Sequence, residues 1–138
     1  MRKLVLPMLA IGVLVVAGIA YAASPIMVGT KLNAMADHAT ASHGKGNFTG
    51  DITGHKVKFT LSFSGLTGPA VAAHIHMGAR GKEGPVIVPL CGPCKSAVTK
   101  TVSISASAIA AIKKGDAYVN VHTAKYPNGE IRGQLAAH

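Results

Sequence analysis

The chain contains no tryptophan, and its three Phe and three Tyr make up only 4% of 138 residues. Any core it builds is therefore aliphatic. Acidic residues are equally scarce: Asp plus Glu total 5 against 14 Lys plus Arg, a formal charge of +9. With so few carboxylates, neither a catalytic carboxylate pair nor a Ser-His-Asp order can be assembled from spacing. Charged residues reach only 14%, which argues against an intrinsically disordered chain. Long uninterrupted helical segments are missing too. The 16 Gly and 7 Pro leave no room for a coiled coil, a helical repeat array or a multi-pass membrane protein. The length suits one domain.

One long apolar run occurs, and it opens the chain. Met1-Arg2-Lys3 precedes the apolar residues 4–19, and Ala20-Tyr21-Ala22 places small side chains where a signal peptidase reads. The expected layout is a signal peptide over residues 1–22 and a single β domain over 23–138. The alternative is a retained anchor, because the segment is just long enough to span a bilayer. No Cys follows it to carry a bacterial lipid. Both readings make the domain secreted or periplasmic, and signal cleavage would leave it free of the membrane. Export, together with scattered rather than clustered lysines, argues against nucleic acid as a partner. Small anions or anionic envelope polymers are the expected partners of such a surface.

Beyond that segment, alternation dominates. Val57, Phe59, Leu61 and Phe63 face one way while Lys58, Thr60, Ser62 and Ser64 face the other, the pattern of a half-buried antiparallel strand. Further strands are expected over 26–34, 46–53, 71–76, 86–90, 100–104, 117–122 and 130–135, separated by Gly/Pro/Asn turns. Residues 35–45 read as a long surface loop. One short helix fits 106–114, with Ser105 as N-cap, Ile109 and Ile112 as its apolar contact, and Gly115 as its stop. The fold class is thus all-β, an antiparallel β-sandwich or flattened β-barrel with one short helix.

Two of these strands carry histidines. In Val71-Ala72-Ala73-His74-Ile75-His76, Ala73 and Ile75 face the core, so His74 and His76 share the opposite face. In Tyr118-Val119-Asn120-Val121-His122 the valines face inward, and Tyr118, Asn120 and His122 face outward. A His-x-His pair joined by a third imidazole from a neighbouring strand makes a neutral three-nitrogen site with open coordination positions. Such a site suits copper ahead of zinc, following the divalent affinity order. His74, His76 and His122 are the expected metal ligands. The competing reading is three solvated surface histidines, because spacing alone does not make those strands neighbours. His38, His43 and His55 are the remaining candidates for a fourth ligand. Glu130 is placed to hold either Arg132 or a loop backbone.

Cys91-Gly92-Pro93-Cys94 has the spacing of a thioredoxin-type motif, yet it follows a strand instead of opening a helix. The expected state is a local Cys91–Cys94 disulfide clipping a loop. A redox role and capture of soft Cu(I) are the alternatives.

Several segments resemble the chordin-type CHRD domain. They are Phe63-Ser64-Gly65-Leu66, Ala73-His74-Ile75-His76, Gly84-Pro85-Val86-Ile87-Val88-Pro89-Leu90, Tyr118-Val119-Asn120-Val121-His122-Thr123 and Tyr126-Pro127-Asn128-Gly129-Glu130-Ile131-Arg132-Gly133-Gln134-Leu135. The resemblance implies an extracytoplasmic all-β domain, known from bacteria and from extracellular animal proteins. A weaker similarity is to copper/zinc superoxide dismutases, which have a His-x-His strand, a later copper-binding His and an anion-guiding Arg. His74, His76, His122 and Arg132 fall in that order. This similarity implies a Greek-key barrel of the superoxide dismutase-like kind. It also implies copper on the three histidines, with Arg132 holding an anionic ligand beside the open position. The chain departs from those enzymes in lacking their long metal-binding loop, bridging His, zinc set, charged loop and inter-sheet disulfide. The expected function is an exported CHRD-type domain binding copper through surface histidines, in envelope metal or redox handling. The alternatives are a superoxide dismutase-like enzyme and a non-catalytic extracytoplasmic interaction domain.

Overall fold

A computed structural model describes residues 17–35 and 39–138. Most of the expected signal segment, residues 1–16, lies outside the described residues, as does His38. Residues 17–25 run without regular structure and are exposed.

The described chain forms nine strands and one helix in the order β1 Ile26–Ala34, β2 Lys45–Thr53, β3 Lys56–Ser64, β4 Ala70–Met77, β5 Val86–Cys91, β6 Val98–Ser103, α1 Ala106–Lys114, β7 Ala117–Thr123, β8 Ile131–Gln134 and β9 Ala136–Ala137. All ladders are antiparallel, in one sheet ordered β5-β4-β7-β8-β1-β2-β3-β6, with β9 added on β1. The end strands β5 and β6 approach one another, so the sheet curls into a nearly closed, flattened barrel. Connectivity is Greek-key in kind: β6 returns to pair with β3, and β7 returns to pair with β4.

The alternation seen in the sequence closes this barrel around an aliphatic core. Val57, Phe59 and Leu61 of β3 are fully buried, and Phe59 stacks on Phe48 of β2 at 5.6 Å between centroids. Val28, Leu32, Ile75, Val88, Val119, Val121 and Ile131 complete the interior from the other strands. The helix starts where Ser105 Oγ accepts the Ala108 N–H at 3.1 Å and stops at left-handed Gly115, φ 77°. Its buried stripe is Ala108, Ala111 and Ile112, with Ile109 only half-buried beside them.

Two segments differ from the sequence pattern. The strand expected over 130–135 breaks at Leu135: β8 pairs with both β7 and β1, β9 beyond the break pairs with β1, and Glu130 precedes β8. The described parts of the 35–45 segment, Met35 and residues 39–45, are not simply a surface loop. Met35, Ala39 and Ser42 are buried: Ser42 is hydrogen-bonded to the Glu130 carboxylate, the Met35 N–H donates to the Glu130 carbonyl, and the Ala39 N–H donates to Met35 O.

Candidate metal centre

Strands β4 and β7 pair so that His76 lies opposite Tyr118, His74 opposite Asn120, and Ala72 opposite His122. The three histidines therefore share one face of two adjacent strands, a neighbourhood that spacing alone left open. His74 Nδ1 sits 3.1 Å from His122 Nε2. Ring centroids are 5.6 Å apart for His74–His76, 4.9 Å for His74–His122 and 5.8 Å for His76–His122. One ligand nitrogen from each ring lies within 4.8 Å of the other two, a grouping able to hold a metal ion.

The outer face of β4 and β7 is not a solvated surface. His76 is 9% exposed and His122 8%, while Tyr118 and Asn120 are at 2%. Every residue of β7 is buried. Two turn-rich loops, residues 78–85 and 124–130, fold back over this face and bury His76, His122, Tyr118 and Asn120, leaving His74 half-buried. The first lies so close to β4 that a Cβ at Gly84 would collide with the Met77 carbonyl, while the Met77 N–H donates to Pro85 O at 2.9 Å. In the second, Gly129 has φ 121° and packs directly on the Asn120 amide, whose Nδ2 donates to Asn128 O at 3.1 Å.

These loops also set the protonation pattern of the rings. His76 Nδ1 lies 2.9 Å from Gly84 O, and His122 Nδ1 lies 2.9 Å from Pro127 O. A carbonyl oxygen only accepts, so each Nδ1 carries the hydrogen, and each neutral ring keeps its Nε2 lone pair. The hydrogen between His74 and His122 then belongs to His74 Nδ1. His76 Nε2 is buried with no hydrogen-bond partner among the described residues. Burial, followed by the neighbouring His122 and His76 charges, holds the His74 pKa below its usual 6.5. Burial also lowers that of His122, outweighing the raising effect of its bond to Pro127. The pair is thereby kept in the neutral form that ligates a metal.

The other residues singled out from the sequence are dispersed around this cluster. Arg132, on β8, donates through Nη2 to Ala79 O at 3.1 Å and to Gln134 Oε1 at 3.2 Å. Its guanidinium lies 3.5 Å from the centroid of the Tyr118 ring. The Cys91 and Cys94 sulfurs are 2.08 Å apart, a disulfide that packs against the hydrophobic core. Cys91 pairs with Ala73, whose side chain faces inward, so this clip and the histidine pair occupy opposite sides of β4. His55 turns its Nδ1 to Ile104 O at 3.3 Å. Neither His43 nor His55 joins the cluster.

Glu130 holds loops and not Arg132. Its Oε1 accepts the Ser42 hydroxyl at 2.6 Å and the Thr67 N–H at 2.8 Å, and its Oε2 accepts the Thr67 hydroxyl at 2.9 Å and the Thr123 hydroxyl at 2.6 Å. Sequence reasoning read Gly84 and Pro127 as turn formers and missed that their carbonyls orient the imidazoles. Tyr118 was read only as an outward-facing residue. Its ring stacks on His76 at 4.9 Å and 8°.

A family model described as the CHRD domain matches residues 28–135. No curated protein and no solved structure matches the chain.

Proposed function

The chain belongs to the CHRD-domain family, and from that premise we propose that it is an exported protein that binds a transition metal, copper ahead of zinc, through His74, His76 and His122. The observation that carries this reading is the buried, unpartnered Nε2 of His76. An imidazole nitrogen withdrawn from water without a hydrogen bond is costly, and a metal ion in the centre of the cluster would satisfy it. The Nδ1–H groups of His76 and His122, anchored on backbone carbonyls, are the usual outer support of a metal-ligating imidazole. Three neutral nitrogens and no thiolate favour Cu(II), which stands highest in the affinity order.

Bound copper would supply one-electron redox chemistry, consistent with a role in envelope metal or redox handling. Three imidazoles leave the ion's charge uncompensated and coordination positions open, which favours small anions as further ligands. Arg132, one strand away, adds positive charge on that side. The disulfide fits an oxidising compartment, in keeping with the signal-like start of the sequence.

Metal analysis of the protein isolated from its native compartment tests this reading, together with Cu(II) titration and electron paramagnetic resonance (EPR). The expected result is one copper per chain with three coupled nitrogens. In His76→Ala the three-nitrogen spectrum should vanish and affinity should fall by at least the roughly 10–100-fold typical of losing even an outer-shell partner. Equal, weak uptake by wild type and His76→Ala would overturn the reading and leave a non-catalytic interaction domain.

A further inference from the structure

We propose that Tyr118 is the positioning residue of the metal centre, fixing the plane and the tautomer of His76; the inference rests on the metal reading of the histidine cluster. Two contacts from the same side chain converge on that ring. The Tyr118 ring lies parallel to the His76 imidazole, 4.9 Å between centroids and 8° between planes. Its hydroxyl oxygen accepts the Gly84 N–H at 3.2 Å, and the carbonyl of that same Gly84 accepts His76 Nδ1–H at 2.9 Å. Tyr118, Gly84 and His76 therefore close a circuit in which the phenol holds Gly84 by its N–H, on one side of the Cα, while the carbonyl on the other side selects the tautomer.

Each contact removes a different freedom. Stacking opposes rotation of the imidazole out of its plane. The Gly84 carbonyl opposes the half-turn that would exchange Nδ1 with a carbon and aim Nε2 elsewhere. Without either, a His76 ring lacking any bond on Nε2 would have nothing to aim that atom at His74 and His122. Tyr118 itself is held from two directions. It is 2% exposed, and β7 lies between β4 and β8 in the sheet. The phenol thus stands between His76 on β4 and the Arg132 guanidinium, which lies 3.5 Å from the ring centroid. Gly78 lies close enough that a Cβ there would come to 2.9 Å from Tyr118 Cε1, so the 78–85 loop also fits around the ring.

The test compares wild type, Tyr118→Phe and Tyr118→Leu by chelator-competition titration with Cu(II), copper EPR, and long-range proton–nitrogen NMR of the His76 ring in the metal-free protein. Tyr118→Phe keeps the stack and loses the hydroxyl. It should bind copper several-fold more weakly, with the three-nitrogen pattern retained. Tyr118→Leu loses both contacts and should fall about 10–100-fold, with a broadened spectrum and a mixture of His76 tautomers. A merely structural role would lower the melting temperature without moving tautomer or spectrum. Wild-type affinity, spectrum and tautomer in folded Tyr118→Leu would overturn the proposal. Should that variant not fold, the same wild-type values in Tyr118→Phe would overturn it. If wild type takes up no copper, the metal reading fails, while the NMR of the metal-free ring still decides the role of Tyr118.

Discussion

Replacing Glu130 by glutamine separates the charge of this side chain from its shape. The residue is 0% exposed and its carboxylate receives four hydrogen bonds, from Ser42, from Thr67 twice and from Thr123. Glutamine keeps the volume and one acceptor oxygen, which stays on Oε1's side because the Thr67 N–H cannot turn away. The amide NH2 then replaces Oε2, and the Thr67 and Thr123 hydroxyls must reverse from donors to acceptors. Hydrogen bonds to a charged group are worth about 1.5–3 kcal/mol each against about 0.5–1.5 for neutral ones. Weakening all four, with compensation from the reversed pair, gives a net loss of about 2–3 kcal/mol. For a domain of this size that corresponds to a fall of roughly 8–12 °C in melting temperature. Acid adds an independent signature. Burial alone pushes the Glu130 carboxyl up, but its four donors outweigh this and hold it below the usual 4.5. The ionised form's contribution is therefore full above pH 4.5 and is lost as the pH falls through the lower folded value. Circular dichroism melts at neutral and acid pH would show wild type losing that share while Glu130→Gln does not. A variant melting within about 2 °C of wild type at neutral pH, or declining as steeply in acid, would refute the stabilising role of the Glu130 charge.

Gly84→Ala should displace the 78–85 loop, because the added Cβ meets the Met77 carbonyl. The Gly84 oxygen then leaves His76 Nδ1, and copper affinity should drop roughly 10-fold or more. Titration at wild-type affinity would contradict this. A separate expectation concerns the metal-free protein, in which His74 and His122 are held below 6.5. The unfolded chain then takes up protons first, so stability is flat above about pH 6.5 and declines as the pH falls from there through the folded values. Urea midpoints between pH 5 and 7.5 should show this slope in wild type and a reduced one in a His74→Gln/His122→Gln variant. Equal slopes would count against it.

Much of the barrel was legible because its inner face is apolar and its strands alternate. Val57, Phe59 and Leu61 announce β3, and Ser105 and Gly115 bound the helix by cap chemistry that is local in sequence. The final segment was less legible. The alternation of 131–135 suggests one continuous strand, yet the ladder is interrupted at Leu135, whose N–H donates to Ala117 O at 2.9 Å, and beyond it the chain pairs with β1. Alternation reports which way a side chain points and not which strand it pairs with. Residues 35–45 were misread for another reason. Their small polar composition signals a loop, but Glu130, 88 residues from Ser42 in the chain, ties Ser42 down through its carboxylate and Met35 through its backbone carbonyl.

The same limit explains why the shared face of the three histidines was legible and their setting was not. Alternation put His74, His76 and His122 on the face opposite the valines, and that orientation is what the strands adopt. It also made that face wet, because a strand read alone has only one buried side. Here loops 78–85 and 124–130 supply the second buried side. They act through backbone carbonyls, at Gly84 and Pro127, that any residue type could offer. A carbonyl leaves no signature in a sequence; the trace it leaves is the glycine that lets the loop approach. Gly84, pressed against Met77, and Gly129, pressed against Asn120, are those traces. The consequence is chemical as well as geometric. Burial lowers the pKa values of His74 and His122, and the Gly84 carbonyl directs the His76 hydrogen to Nδ1. Exposed histidines at the same spacing would compete for protons near pH 6.5 and rotate freely. The covering loops, more than the His-x-His spacing, are therefore what distinguishes this cluster from three imidazoles that happen to be neighbours.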